Sequence, residues 1–336
     1  MRAILSEPVR GPAAWSGRDL EADLSWITEL DAPACADLAQ AAQRAIEGGR
    51  PLTSLTRVEF PLPRLTPLLA ALRDQIETGL GFALLRGLDV DAYAPDVIAA
   101  MYWGIGTHLG TAIAQNAKGD VLGHVRDEGL TLDNPLARGY QTRVAQSLHV
   151  DRCDVVGLLC RRKARSGGTS RIVSGMRIYN EMLARTPWYL GVLYRPFAID
   201  LRGEERPGEP PVYYRPVFSF HDGVLSCGCN YTYIRDGQAK IGEPLTPLEI
   251  EALDTFYAIA EEHVLAMDLL PGDLQFVNNY MLLHDRSGYE DFEEPDRKRH
   301  MLRLWLDVEK RRPLAPNFGT YSFSFAASDR LLPNSL

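Results

Sequence analysis

The sequence predicts a mainly β chain with helices, an α+β arrangement in which helices stand before and between the strands. Three observations carry this. After Asp151 the texture turns to short apolar runs separated by Gly, Pro, Asn and Asp, as in a β core with long loops. Ahead of that point, apolar residues recur at helical spacing. With 336 residues, 46% hydrophobic and 24% charged, the chain can bury a large core without disulfide or metal staples.

Residues 1–55 read as an N-terminal helical extension packed on the core, and 56–336 as one domain. Trp15-Ser16-Gly17 is a turn, and an Ala-rich helix runs from near Pro33 to Glu47, where Gly48-Gly49 ends it. A second helical run, Leu65 to Leu80, leads into Phe82 to Leu85, a buried strand closed by a turn at Arg86-Gly87. Residues 94–109 form a further helix, apolar and aromatic on one face and stopped by Gly110. Strands are expected at Val155 to Cys160, Tyr213 to Phe220, Gly223 to Cys227, Leu274 to Asn278 and Met301 to Leu306. Between them lie helices at Met176 to Leu183 and at Pro247 to Met267, the latter opened by a Thr246/Glu249 capping box. Pro271-Gly272-Asp273 is a tight turn feeding a strand.

Charge and composition narrow the function. Lys and Arg number 36 against 44 Asp and Glu, a net −8, so the positive field that phosphate backbones require is missing and no nucleic-acid partner is expected. The strongly apolar stretches, such as Val97 to Ile105, fall short of the roughly 20 residues that span a bilayer, so no membrane helix is expected. The first residues lack the apolar middle of a signal peptide, which predicts a cytoplasmic protein. Five cysteines, an odd number, favour reduced thiols, and Cys227-Gly228-Cys229 has no second Cys pair to complete a zinc tetrahedron.

Among seven histidines, two have suggestive company. In an extended chain residues i and i+2 share a face, so His149 and Asp151 can grip one ion, although such a pair also occurs as a plain polar strand end. His284, closing the run Leu274 to Leu283, supplies a third ligand, and two histidines with one carboxylate leave three octahedral positions open on Fe(II). Further on, Arg299 and Arg303 have the same parity and face one side of a strand. Arginines pointing into a barrel need carboxylates, from the protein or from ligands. The competing arrangement, an arginine ladder on a solvated face, would expose Met301 and Trp305 beside them. His108, His124, His221, His263 and His300 read as structural.

With these residues assembled, the chain resembles the Fe(II)- and 2-oxoglutarate-dependent dioxygenases of the taurine dioxygenase and clavaminate synthase type. Gly81 to Gly87 resembles the family's early strand, Leu148-His149-Val150-Asp151 its H-x-D metal motif, and Gly167-Gly168-Thr169-Ser170 its glycine pair before a hydroxyl residue. Asn278-Asn279 through His284 to Arg303 resembles its distal histidine and arginine region. The resemblance implies a double-stranded β-helix over 56–336, the jelly-roll, cupin-like barrel, buttressed by helices. It further implies that His149, Asp151 and His284 hold iron, that Arg299 pairs with the distal carboxylate of 2-oxoglutarate, and that Ser170, or Thr169 beside it, hydrogen-bonds the same group.

Arg303 stands where relatives hold an acidic substrate group. The implied activity uses dioxygen as co-substrate to hydroxylate, desaturate or cyclise at an unactivated C–H bond of a small anionic or amino-acid-like molecule, releasing succinate and CO2, in a setting such as natural-product metabolism. Related halogenases carry Ala or Gly at the position of Asp151, so Asp151 points to oxygen chemistry. Substrate recognition falls to loops, where Gln115, Asn116 and the segment Arg286 to Asp291 are the candidates, with Tyr231 and Tyr233 as further pocket-lining or packing residues. Two other readings compete. A cupin-like metal enzyme without 2-oxoglutarate leaves Arg299 unexplained, and a non-catalytic binding barrel leaves the intact triad and both arginines unexplained.

Overall fold

The computed structural model describes residues 4–116, 118–131, 138–205, 208–309, 312–316 and 318; the tail 319–336 of the expected core domain lies outside them. A major sheet runs in the order β1 (Ile27–Glu29), β2 (Phe82–Arg86), β13 (Leu274–Asn278), β5 (Val155–Arg162), β16 (His300–Asp307) and β3 (Thr111–Ala112), with β4 (Leu122–Val125) also on β16. A minor sheet orders β12 (Leu265–Met267), β7 (Ser170–Ser174) and β14 (Leu282–Arg286). Short antiparallel pairs join β6 (Ser166–Gly167) to β15 (Tyr289–Glu290), β8 (Phe197–Asp200) to β9 (Val212–Arg215), and β10 (Phe218–His221) to β11 (Val224–Cys227).

Strand parity divides these sheets into faces. Phe82, Leu84, Val156, Cys160, Met301 and Trp305 of the major sheet meet Ile172, Leu265 and Leu282 of the minor one in a single cluster between the sheets. The alternate residues Ala83, Leu85, Leu159, Phe276, Leu302 and Leu304 face out and pack under helices α2 (Ala32–Glu47), α3 (Thr66–Glu77) and α4 (Pro95–Leu109). On the other side, Val173 and Leu283 pack under α5 (Gly175–Arg185) and α8 (Pro247–Glu262). The result is the double-stranded β-helix with buttressing helices, covered on both outer faces. The early residues join it closely: β1 adds to β2 in parallel, and the Trp15 indole donates to the Leu80 carbonyl at 2.8 Å.

Several elements differ from the sequence reading for identifiable reasons. Tyr213 to Phe220 is two strands, since Pro216 has no N–H for a ladder, and the halves pair with different partners. The helix expected to reach Met267 stops at Glu262, because Leu265 to Met267 instead completes the edge of the minor sheet against β7. Leu274 to Leu283 is not one run: Asn278 Oδ1 accepts from the Tyr280 N–H and turns the chain from β13 in one sheet to β14 in the other. His284 therefore lies inside β14 rather than after a strand. Tyr231 and Tyr233 open a helix, α7 (Tyr231–Lys240), whose first turn is capped by Asn230 Oδ1 at 3.2 Å from the Tyr233 N–H.

Candidate active site

The open end of the barrel gathers the candidate residues by the same parity. His284 and Arg286 on β14, Ser170 on β7, Gln275 on β13, and Arg299, Arg303 and Trp305 along β16 and its lead-in alternate with residues that pack outward. His149 and His284 exchange both backbone hydrogen bonds, at 3.0 and 2.8 Å, which sets their rings 4.6 Å apart. The following loop is held by two further bonds: the Val150 N–H reaches the Cys229 carbonyl, and the Asp151 N–H reaches Asn279 Oδ1 at 2.9 Å. Asn279 belongs to the turn between β13 and β14, so one turn positions two elements of the site.

Within this frame His149, Asp151 and His284 each present one ligand atom, all within 4.8 Å of one another. His149 Nε2 stands 3.8 Å from Asp151 Oδ1, and His284 Nε2 stands 3.6 Å from Oδ2. The His149 Nδ1–H donates to the Ser147 carbonyl at 2.8 Å, fixing the tautomer that turns Nε2 inward. Burial, reinforced by the neighbouring His284, pulls the His149 pKa down to about 4, so the imidazole is neutral at physiological pH. Burial alone would raise the Asp151 pKa, but the hydrogen bond and charge of His284, with Arg303 and His149, hold it well below the usual carboxylate range. Two imidazole nitrogens and one carboxylate suit a divalent transition metal with open positions.

Arg299 is 4% exposed, and among the described residues no carboxylate stands within ion-pair distance of its guanidinium, Asp291 acting on it from farther off. Its Nη1 has no partner, and its charge centre lies 5.1 Å over the Tyr289 ring. An unpaired buried guanidinium is costly, so this arrangement fits a site built for an anion. The glycine pair makes the room: Gly167 and Gly168 both have positive φ, and a Cβ on Gly168 would come within 3.1 Å of Arg299 Nε. Ser170 is buried with its hydroxyl on Gln275 Oε1 at 3.1 Å, whereas the Thr169 hydroxyl turns out toward Asp268 at 3.3 Å.

Arg303 lies in a cleft shared with His149, Asp151, Gln115, Asn116, Tyr140 and Trp305. Its Nε donates to Gln115 Oε1 at 2.6 Å, and its guanidinium lies 4.5 Å from the Tyr140 ring centre and 5.1 Å from that of Trp305. Met301 and Trp305 are buried, 2% and 7% exposed, so the solvated arginine ladder is excluded. Gln115 uses its amide on the protein itself, since Nε2 donates to the carbonyls of Val121 and Arg303. Asn116 borders the cleft and bonds Asp120.

Arg286 does not line the cleft expected for it. Its guanidinium donates to the Thr142 and Val144 carbonyls and stacks on Tyr289, tying down the loop ahead of His149. Sequence reasoning passed over Arg138, Arg152 and Glu204, which line the same cleft, with Glu204 bridged by both arginines. They come from loops without periodicity, so no local pattern marks them. Trp305 was legible in principle, sharing the parity of Arg299 and Arg303.

A double-stranded β-helix whose inner face carries two imidazoles and a carboxylate within reach of one ion, and a buried arginine without a carboxylate partner among the described residues, is the architecture of a non-haem metal oxygenase. The chain belongs to the taurine catabolism dioxygenase TauD, TfdA family, whose model matches residues 48–305. It is thus an iron- and 2-oxoglutarate-dependent oxygenase, which sets aside both competing readings. It is 38% identical over 335 residues to FR-33289 synthase of Streptomyces rubellomurinus, covering 98% of each chain. It is 29% identical over 305 residues to the taurine hydroxylase-like protein SAT17 of Stachybotrys chartarum, covering 87% of this chain and 77% of that one. Among solved structures it resembles an asparagine oxygenase in complex with Fe(II), 3-hydroxyasparagine and succinate (TM-score 0.62, 18% identity, 84% and 93% of the two chains). It also resembles the non-haem iron oxygenase OrfP in complex with Fe and alpha-ketoglutaric acid (TM-score 0.62, 12% identity, 84% and 94%). No helix among the described residues is long and apolar enough to cross a membrane.

Proposed function

We propose that this oxygenase hydroxylates an unactivated C–H bond of a small anionic, amino-acid-like metabolite. The observation that carries the reading is Arg303, oriented by Gln115 and two aromatic rings, without a carboxylate partner among the described residues, in the cleft that contains His149 and Asp151. A planar guanidinium fixed in this way matches a carboxylate or another oxyanion bidentately. The substrate's acidic group docks on Arg303, which orients the carbon to be oxidised toward the metal end of the cleft. Tyr140, Asn116 and the Arg138, Arg152 and Glu204 group line the walls around it.

His149, Asp151 and His284 are the iron ligands in this reading, and Arg299 with Ser170 receives the distal carboxylate of 2-oxoglutarate. Ser170 is preferred to Thr169 because it is buried inside the barrel with its hydroxyl on Gln275, while the hydroxyl of Thr169 faces Asp268. When bound, iron with 2-oxoglutarate and dioxygen supplies the oxidising power, one oxygen atom going to the substrate and the other to succinate as CO2 leaves. The protein's part is to hold the reactants and shield them from water. Similarity to FR-33289 synthase, to an asparagine oxygenase and to OrfP in complex with (3S)-hydroxy-L-Arg supports an amino-acid-like substrate. The five cysteines stand free, four of them buried, which suits the reducing cytoplasm.

Anaerobic titration with Fe(II) and then 2-oxoglutarate tests the cofactor assignment without knowledge of the substrate. A weak visible charge-transfer band is expected in the wild type and not in Asp151→Ala. A band of wild-type strength in Asp151→Ala would refute the ligand set. Aerobic turnover with a panel of anionic amino acids, followed as succinate and hydroxylated product, tests the substrate class; consumption of neutral compounds alone would refute it.

A further inference from the structure

Trp305, one of the two rings that orient Arg303, also touches the carboxylate of Asp151. Its side chain is 7% exposed, and its Nε1–H donates to Asp151 Oδ2 at 3.0 Å. The Arg303 guanidinium lies 5.1 Å from the centre of the same indole. Asp151 Oδ1 stands toward His149 Nε2 at 3.8 Å, leaving Oδ2 between the indole and His284 Nε2 at 3.6 Å. Apart from the ligand imidazole itself, Trp305 is the one hydrogen-bond donor to this side chain among the described residues.

A carboxylate with both oxygens free can bind a metal through either or both. A donor fixed on one oxygen takes up one of its two lone pairs, makes that oxygen the poorer metal ligand and orients the other. Here the indole is itself set on β16 and packed in the cluster between the sheets. We propose that Trp305 is a positioning residue that holds Asp151 to one-oxygen ligation and links that ligand to the substrate anchor Arg303. One-oxygen ligation keeps open the positions needed by a chelating 2-oxo acid and dioxygen. The ring beneath Arg303 means that substrate docking presses on the side chain that orients the metal's carboxylate. This inference rests on the ligand set proposed above.

The decisive variant is Trp305→Phe, which keeps a ring beside Arg303 and removes only the N–H. Co(II), stable in air, is the probe. The variant is expected to bind Co(II) 10 to 100 times more weakly than wild type, the usual cost of losing an outer partner of a metal ligand. In Fe(II)-loaded enzyme it is expected to consume more 2-oxoglutarate per product formed, with substrate KM changed less than about twofold, within the tolerance for a retained ring contact. Trp305→His, which restores a ring N–H, is expected to recover much of the Co(II) affinity. Wild-type Co(II) affinity in a Trp305→Phe protein that melts normally without metal would overturn the proposal.

If Trp305→Phe fails to fold, wild-type protein labelled with 15N at its five indoles decides the question. Co(II) should shift the Trp305 resonance, assigned by its absence in Trp305→His, more than any other; an unmoved resonance would overturn the proposal. Asp151→Ala separates the two levels of inference. Loss of Co(II) there, with retention in Trp305→Phe, rejects the indole's role alone, while retention in Asp151→Ala rejects the ligand set beneath it.

Discussion

His149 and His284, from opposite halves of the chain, are paired to each other by two backbone hydrogen bonds, N–H to carbonyl in both directions. The imidazoles are therefore set by main-chain geometry before any metal binds. Their spacing does not depend on side-chain packing alone, and a substitution at either position removes a proposed ligand while leaving the backbone bridge in place.

From that relationship, His284→Ala should fold with close to wild-type stability and bind Fe(II) at least about 100-fold more weakly, beyond the 10- to 100-fold cost of disturbing an outer partner. Chelator competition under anaerobic conditions measures the affinity, and thermal melting of the metal-free protein measures the fold. Near-wild-type Fe(II) binding would remove His284 from the ligand set.

Arg299→Leu should raise the 2-oxoglutarate concentration needed for half-maximal turnover by about 10- to 100-fold, since a charge-assisted pair contributes about 1.5 to 3 kcal/mol. The requirement for substrate should change much less. Gly168→Ala should act in the same direction by another route: its φ is +74° and the added Cβ would crowd Arg299 Nε at 3.1 Å. A strained position of this kind costs of order 1 to 3 kcal/mol, part of it borne by the displaced arginine. Unchanged 2-oxoglutarate dependence in both variants would move the co-substrate elsewhere.

Arg303→Leu should reverse the pattern, weakening substrate by about 10-fold or more while 2-oxoglutarate binding, read from the charge-transfer band, stays within about threefold. Gln115→Leu should follow it more mildly, because it releases the Arg303 Nε without removing the charge. Equal effects of Arg303→Leu on both ligands would show one shared anion site.

Stability should also depend on pH through Asp154. Burial, together with its hydrogen bond to Asp307, raises this carboxyl to about 7, while Tyr280 donates to Oδ1 at 2.7 Å and the Val308 N–H to Oδ2 at 2.8 Å. A pKa raised by folding means that the native state holds the proton more tightly than the unfolded chain. The associated stability is fully present below the unfolded value near 4 and is lost as pH rises through about 7. Urea midpoints at pH 5 and 7.5 should therefore fall more in the wild type than in Asp154→Asn, which carries no titrating proton there. Parallel behaviour of the two proteins would place the proton elsewhere.

Legible from the residues alone were the strands that read as short apolar runs and the residues whose chemistry is unusual at fixed spacing. Met301 to Leu306 is an apolar run broken by one charge, so it read as a strand, and the common face of Arg299 and Arg303 followed from a period of two. His149 and Asp151 were legible as a pair for the same reason, and the Thr246/Glu249 cap marked the start of α8. The tertiary structure decided whatever depended on contacts between distant segments. Leu265 to Met267 left the helical pattern because the edge of the minor sheet offered a ladder, and Asn278 redirected the chain between sheets through a bond to its own backbone. Arg286 looked like Arg303 in one dimension, but the Thr142 and Val144 carbonyls lie within reach of one and not the other. Local propensity and parity are properties of neighbouring residues, whereas the partner of a buried polar group is whatever the closed barrel brings to it.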